Sequence, residues 1–222
     1  MKKNLFFLAI TIFVCVTINS FAQKNRTLSN GFSANLITGF PSSTYGFASD
    51  AKNVDQYKLG GIWGLELGDR WYFKPKERYG FGLLVKWIDL SGVYKKGTTN
   101  GENWEREVVD ITFLSFGPIG TYAINDNVAL DAYYNLRPTG FGSRLILKSP
   151  SGSSGDETYY YYGFGISNAL GVAFRYKALN IGLEYVFGSI KSDGTYSGPN
   201  DLKLESQKIV NNNFRILLGV KL

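Results

Sequence analysis

The sequence has 222 residues, 44% of them hydrophobic and 16% aromatic, with a mean hydropathy of −0.10 and a formal net charge of +6. That composition excludes a disordered chain, and beyond residue 22 no apolar run approaches the ~18 residues of a membrane-spanning helix. Histidine is absent, which removes Ser-His-Asp and Cys-His catalysis and most zinc sites.

Lys2 and Lys3 precede an apolar stretch from Leu5 to Ile18, and Ser20-Phe21-Ala22 places small residues at the −3 and −1 positions of a cleavage site. This is the pattern of a secretory signal peptide, residues 1–22, cut after Ala22. Cys15, the one cysteine, lies inside that stretch behind the bulky Phe13 and Val14, so no lipoprotein site, disulfide or thiol chemistry is expected. The remainder, residues 23–222, reads as one domain with 22 basic and 18 acidic residues, a net charge of +4. Its Lys and Arg residues are scattered singly, which argues against a nucleic-acid partner.

Alternation with period two then recurs along the chain, the mark of strands with one apolar face. In Gly31–Phe40 that face is Phe32, Ala34, Leu36, Thr38 and Phe40. Tyr57–Tyr72 sets Trp63, Leu65 and Leu67 against Glu66 and several glycines. Gly80–Tyr94 sets Phe81, Leu83, Val85 and Trp87 against Gly82, Leu84 and Lys86. Val108–Tyr122 is apolar on both faces and holds Pro118, so a bulge or an early strand end is expected near that proline. Val128–Arg137 opposes Leu130, Tyr134 and Leu136 to Asp131 and Arg137. Gly163–Tyr176 opposes Phe164, Leu170 and Phe174 to Arg175, and Asn180–Ser189 opposes Ile181, Leu183 and Tyr185 to Glu184. Asn213–Leu222 sets Phe214, Ile216 and Leu218 against Arg215 and Lys221.

These are eight strands, each long enough for the ~9–11 residues of a tilted bilayer crossing. Short turns fall at Lys74-Pro75-Lys76, Asn125-Asp126-Asn127 and Lys177-Ala178-Leu179. Four polar segments, Pro41–Gln56, Lys95–Glu107, Gly140–Tyr162 and Ser192–Gln207, read as long loops on the opposite rim. Glycines and charges fill the second strand face, so the apolar face points outward to lipid. Trp63, Trp71, Tyr72, Trp87, Tyr122, Tyr134, Phe174, Tyr176 and Tyr185 are expected to form interfacial belts.

With its signal ending Ser20-Phe21-Ala22-Gln23, its repeated hairpins and its terminal run from Phe214 to Leu222, the chain resembles the small outer-membrane β-barrels of Gram-negative bacteria, the OmpA-like and PorT-like barrels. The resemblance covers essentially all of residues 23–222. It implies an all-β, eight-stranded antiparallel up-and-down transmembrane β-barrel, set in the lipid of the bacterial outer membrane. It also implies a C-terminal signal read by the barrel-assembly machinery, carried here by Phe214 and by Leu222, where the family often ends in an aromatic residue. The family includes structural barrels, adhesins, small pores and secretion-system components, so the resemblance does not select a role.

On the inward faces, Glu66, Lys86, Asp131, Arg175, Glu184 and Arg215 supply three acids and three bases. Charges in a narrow lumen must be paired, so a salt-bridged, mostly closed lumen is expected, with Arg215 beside Glu184 of the preceding strand. Tyr159, Tyr160, Tyr161 and Tyr162 follow the flexible stretch Ser149–Asp156. They read either as a loop surface for an extracellular protein or glycan, or as the outer interfacial belt. The loop acids Asp50, Asp55, Glu102, Glu105, Asp156, Glu157, Asp193 and Asp201 lack calcium-loop spacing. Gly60-Gly61 and Gly163–Gly165 lie in strands without a following helix, so they are not nucleotide loops. No catalytic residue, metal or cofactor is expected, and the barrel is expected to be monomeric. A structural or loop-mediated binding role fits this reading. The alternatives are a narrow passive pore or an accessory component of an outer-membrane secretion system.

Overall fold

The computed structural model describes residues 27–47, 57–148, 156–197 and 202–222. The signal peptide, the stretch 149–155 and the loop acids Asp50, Asp55 and Asp201 lie outside these. Ten strands are present among the described residues: β1 (Gly31–Pro41), β2 (Ile62–Tyr72), β3 (Tyr79–Thr99), β4 (Glu102–Asn125), β5 (Val128–Lys148), β6 (Glu157–Tyr176), β7 (Leu179–Phe187), β8 (Ser189–Ser197), β9 (Leu202–Val210) and β10 (Asn213–Lys221). Antiparallel pairing runs β1-β2-β3-β4-β5-β6-β7-β10, and β10 pairs back onto β1, closing a ring of eight strands. Closure leaves no edge inside the membrane, the condition for a sheet to span lipid.

β8 and β9 continue β7 and β10 upward as a hairpin, and β8 pairs with β6 over Thr158–Gly163. The two breaks face each other. Gly188, at φ 145°, separates β7 from β8, a conformation that L side chains rarely adopt. Its N–H donates to Asn212 Oδ1 at 2.9 Å, between β9 and β10.

The strands overshoot the membrane, which corrects the loop assignments. β3 and β4 have 21 and 24 residues. Lys95–Glu107 is the top of their hairpin, turned by Asn100 and Gly101 alone, at φ 53° and 85°. Positive φ at both central residues is what a two-residue hairpin turn requires. Most of Gly140–Tyr162 and Ser192–Gln207 is likewise strand, and Tyr159–Tyr162 sit in β6 rather than in a loop. Above the membrane both faces of a strand meet water or polar groups, so apolar alternation stops where backbone pairing does not. At the other extreme, β2 begins at Ile62, five residues later than the alternation from Tyr57 implied.

Two inserted residues set which charges reach the lumen. Trp87 has no partner in β2, where Gly68 pairs with Lys86 and Leu67 with Ile88. Leu114, at φ 55°, is the extra residue of β4 against β5. The irregularity expected near Pro118 therefore lies four residues earlier, and Pro118 pairs regularly with Leu83. Each insertion flips the faces beyond it. Lys86 points inward below Trp87, and Asp89 and Ser91 point inward above it.

Outside, the barrel is apolar: Trp63, Phe81 and Phe164 are 70%, 71% and 68% exposed, in an outer surface built of such side chains. Trp71, Trp87, Tyr122, Tyr134, Phe174, Tyr176 and Tyr185 face outward as the belts require. Tyr72 does not. Trp71 takes the outward position, and Tyr72 turns into the lumen, where its hydroxyl lies 2.7 Å from Thr121 Oγ1.

Candidate functional site

All six charges read from the sequence are buried in the lumen. Lys86 Nζ lies 2.7 Å from Glu66 and also pairs with Glu184. Asn35 Nδ2 donates to Glu66 at 2.8 Å, and the Tyr133 hydroxyl donates to Glu184 at 3.1 Å. Arg215 is the Cα partner of Glu184 across β10–β7, and their charged groups are 3.7 Å apart. Its nearer partner is Asp89, at 2.7 Å.

Asp89, Asp110 and Arg137 complete this layer and were not singled out from the sequence. Arg137 Nη2 donates to Asp89 at 2.7 Å, and both Arg137 and Arg215 lie 3.6 Å from Asp110. Asn211 Nδ2 holds the other side of Asp110 at 2.9 Å. Asp89 was invisible because the Trp87 insertion moves it off the face that simple alternation assigns. Arg137 stood on the polar face of its strand, so its inward position was readable.

A second layer lies toward the short-turn rim. Arg175 Nε donates to Asp131 Oδ2 at 2.7 Å, and Arg70 lies 3.7 Å from the same oxygen. Thr121 donates to Asp131 at 2.7 Å. Arg175 also reaches the Tyr72 hydroxyl and the Thr27 carbonyl, at 3.1 and 2.8 Å. Tyr72, Leu84, Ile119 and Tyr133 pack together and bridge the two layers. Gly171 makes room for this: a Cβ there would stand 2.3 Å from the Tyr133 ring.

Above the charges sits an apolar cap. Tyr45, fully buried, packs with Ile62, Val93, Val108, Phe141 and Ile190. It belongs to the segment after β1, which bonds to the upper strands through Ser42 N–H to Asn212 O and Gly46 N–H to Val210 O, both 2.9 Å. Arg106, also buried, stacks 3.6 Å over Phe47 and donates to the carbonyls of Tyr45 and Tyr57.

The carboxylates of Glu66, Asp89 and Glu184 have oxygens within 4.8 Å of one another, spacing that suits a metal ion. Here the Lys86 ammonium lies among them, so the chain supplies its own cation.

Outside the membrane, Tyr160 and Tyr162 continue the outward row of β6, while Tyr161 packs against the apolar cap and the Tyr159 ring tilts against that of Tyr196, their centroids 5.0 Å apart. On the β3–β4 hairpin, Glu105 accepts from Lys148, from Lys96 at 2.9 Å and from the Tyr94 hydroxyl at 3.0 Å. These donors, Lys148 first, hold its carboxyl down to about 2.

No protein-family model and no curated protein matches the sequence. Solved structures do. The outer-membrane protease OmpT of Escherichia coli is similar at a TM-score of 0.56 and 11% identity, over 87% of this chain and 94% of that one. Ail, the attachment invasion locus protein of Yersinia pestis, aligns at 0.45 and 13%, over 87% and 97%. OprG of Pseudomonas aeruginosa aligns at 0.42 and 15%, over 90% and 99%. At 11% identity the likeness to OmpT reaches the fold and stops there. The closed ring of eight strands, the apolar exterior and that likeness give the chain the fold of a transmembrane β-barrel, the fold seen in outer-membrane proteins of Gram-negative bacteria.

Proposed function

We propose that the protein is a closed, non-conducting barrel whose rigid wall carries a binding surface above the membrane. The observation that supports closure is the burial of five acids and five bases: Glu66, Asp89, Asp110, Asp131 and Glu184 against Arg70, Lys86, Arg137, Arg175 and Arg215. An ion crossing this lumen must displace paired charges from low dielectric, and removing one partner of such a pair costs several kcal/mol, about 3–5. The Tyr45 cap adds an apolar barrier on the same path. The role is non-enzymatic in this reading, because the lumen carboxylates are engaged by cations.

The binding half of the proposal rests on the strand extensions. They form a stiff sheet above the membrane with Tyr160, Arg144 and Lys148 on one face. Aromatic and Arg side chains on a rigid element are the composition that protein and glycan recognition favours. Planar-bilayer recording tests closure. Purified barrel is expected to stay silent at voltages where open porins conduct, and reproducible unitary steps from the wild type would sink the proposal. Binding is tested separately by comparing the wild type with a variant whose β3–β4 hairpin is cut back to the membrane edge, on immobilised extracellular proteins and glycans. Equal binding by the two would remove the extension from the reading.

A further inference from the structure

A hollow of about 700 Å³ lies on the outside of the barrel, across β3 to β7 near the short-turn rim. The pairing register explains it. One outward row across these strands reads Tyr79, Tyr122, Leu130, Phe174, Ile181. The next row into the membrane reads Phe81, Gly120, Ala132, Val172, Leu183. Two small residues in the middle of that second row make the floor, and large side chains stand around it. Phe81, 71% exposed, projects over it as one wall.

Gly120 is not there for backbone reasons. Several other barrel glycines admit no side chain: a Cβ at Gly117 would stand 1.8 Å from the Tyr134 carbonyl oxygen, and one at Gly82 would stand 2.0 Å from that of Trp71. At Gly120 a Cβ would meet only the Phe81 ring, at 3.7 Å, an ordinary contact. The fold would accept a larger residue, and the sequence leaves a hollow.

We propose that this hollow is a phospholipid site of the periplasmic leaflet. The occupant follows from position and charge. The floor lies two residues inward of the Tyr79–Tyr122 ring pair, whose centroids are 5.1 Å apart, so it faces acyl chains rather than headgroups. Its volume is within the ~300–1,000 Å³ of ligand clefts. On the aqueous side of the ring pair, Arg78 and Lys177 are exposed at the two flanks, with Lys177 Nζ 5.5 Å from the Tyr176 ring. Glu77 and Asp126 share those turns, so the rim there carries both signs of charge rather than a wholly basic field. One acyl chain lies on Gly120 and Ala132, with the headgroup toward the short-turn rim, where Arg78 and Lys177 are exposed. The assignment does not depend on whether the lumen conducts.

Native mass spectrometry of the full chain, extracted in mild detergent and supplemented with phosphatidylglycerol, tests it. The wild type is expected to keep one phospholipid. A double variant that fills the floor, Gly120→Leu with Ala132→Leu, is expected to lower retention by about tenfold or more, because the acyl chain loses its buried surface. Heat-modifiable gel mobility confirms that both proteins are folded. With phosphatidylethanolamine supplied in equal amount, Arg78→Ala with Lys177→Ala should leave retention but lower the preference for phosphatidylglycerol. Equal retention by the filled variant overturns the site. So does a wild type that keeps no lipid, or a wild-type dimer that the filled variant abolishes, since the hollow would then take a second copy.

Discussion

Arg215 joins more of the lumen than any neighbouring base, reaching Asp89 at 2.7 Å, Ser91 Oγ at 2.9 Å and Asp110 at 3.6 Å. Removing it leaves buried carboxylates with less charge than they face now. Arg215→Ala is therefore expected to lower stability by about 3–5 kcal/mol, read by urea unfolding in lipid vesicles. Arg144→Ala is the contrast: its 2.7 Å pair with Glu107 is about 40% exposed at both ends, and its loss is expected to cost under about 1 kcal/mol. Similar effects for the two would refute a buried structural network. Glu105 carries a pH-dependent contribution of its own. Its carboxyl falls from the ordinary 4.5 to about 2, so the contacts with Lys148 and Lys96 stabilise the hairpin fully above 4.5 and are lost as pH falls toward 2. The protection of the hairpin amides against hydrogen exchange, relative to their intrinsic rates at each pH, should fall over that window in the wild type and show no such step in Glu105→Gln. At this scale much was legible. A charged residue on a strand face opposite a lipid-facing row has only the lumen to enter, which is how Glu66, Lys86, Asp131, Arg175, Glu184 and Arg215 were found.

The strands show where such reading fails. Alternation assumes one residue per step, and Trp87 and Leu114 each add one. Deleting Trp87 would leave Asp89 and Ser91 inward against β2, but would put β3 one residue out of step with β4, where Trp87 stands opposite the Leu114 insertion. The deletion variant is expected to lose the heat-modifiable band of a folded barrel. Trp87→Ala, which removes only the side chain and its 2.7 Å bond to Asp69, should keep the band. If the deletion variant folds as well as Trp87→Ala, the insertions in β3 and β4 need not match. The upper halves of β3 to β6 were misjudged for a different reason. Their polar composition looked like loop, yet main-chain pairing needs no apolar face once the strand has left the membrane. In Asn100-Gly101 the turn itself was readable, because both positions need positive φ and these two residues adopt it most easily.

At the scale of the molecule, an apolar exterior around a charged interior fits one environment. The folded barrel should run at a shifted mobility in unboiled SDS and return to its full chain mass on boiling. It should also precipitate without detergent. A monomer soluble in buffer would mean that the apolar face had been assigned to the wrong side. The same inversion explains why the lumen resists ions: pairs such as Arg215–Asp89 and Arg175–Asp131 hold charge where water does not reach.

The eight strands of the ring, the outward apolar face and the charged interior were determined by the sequence alone, because a period of two and the cost of placing charge in lipid admit few arrangements. The tertiary structure decided what those rules do not encode. It placed the two insertions and so chose Asp89 as the hub of the lumen. It brought Tyr45 from the segment after β1 into the mouth. It also aligned Gly120 with Ala132 beneath Phe81. Each of these depends on which strand neighbours which, and at what register. That information is carried by pairs of residues far apart in the chain, and no single stretch of sequence contains it.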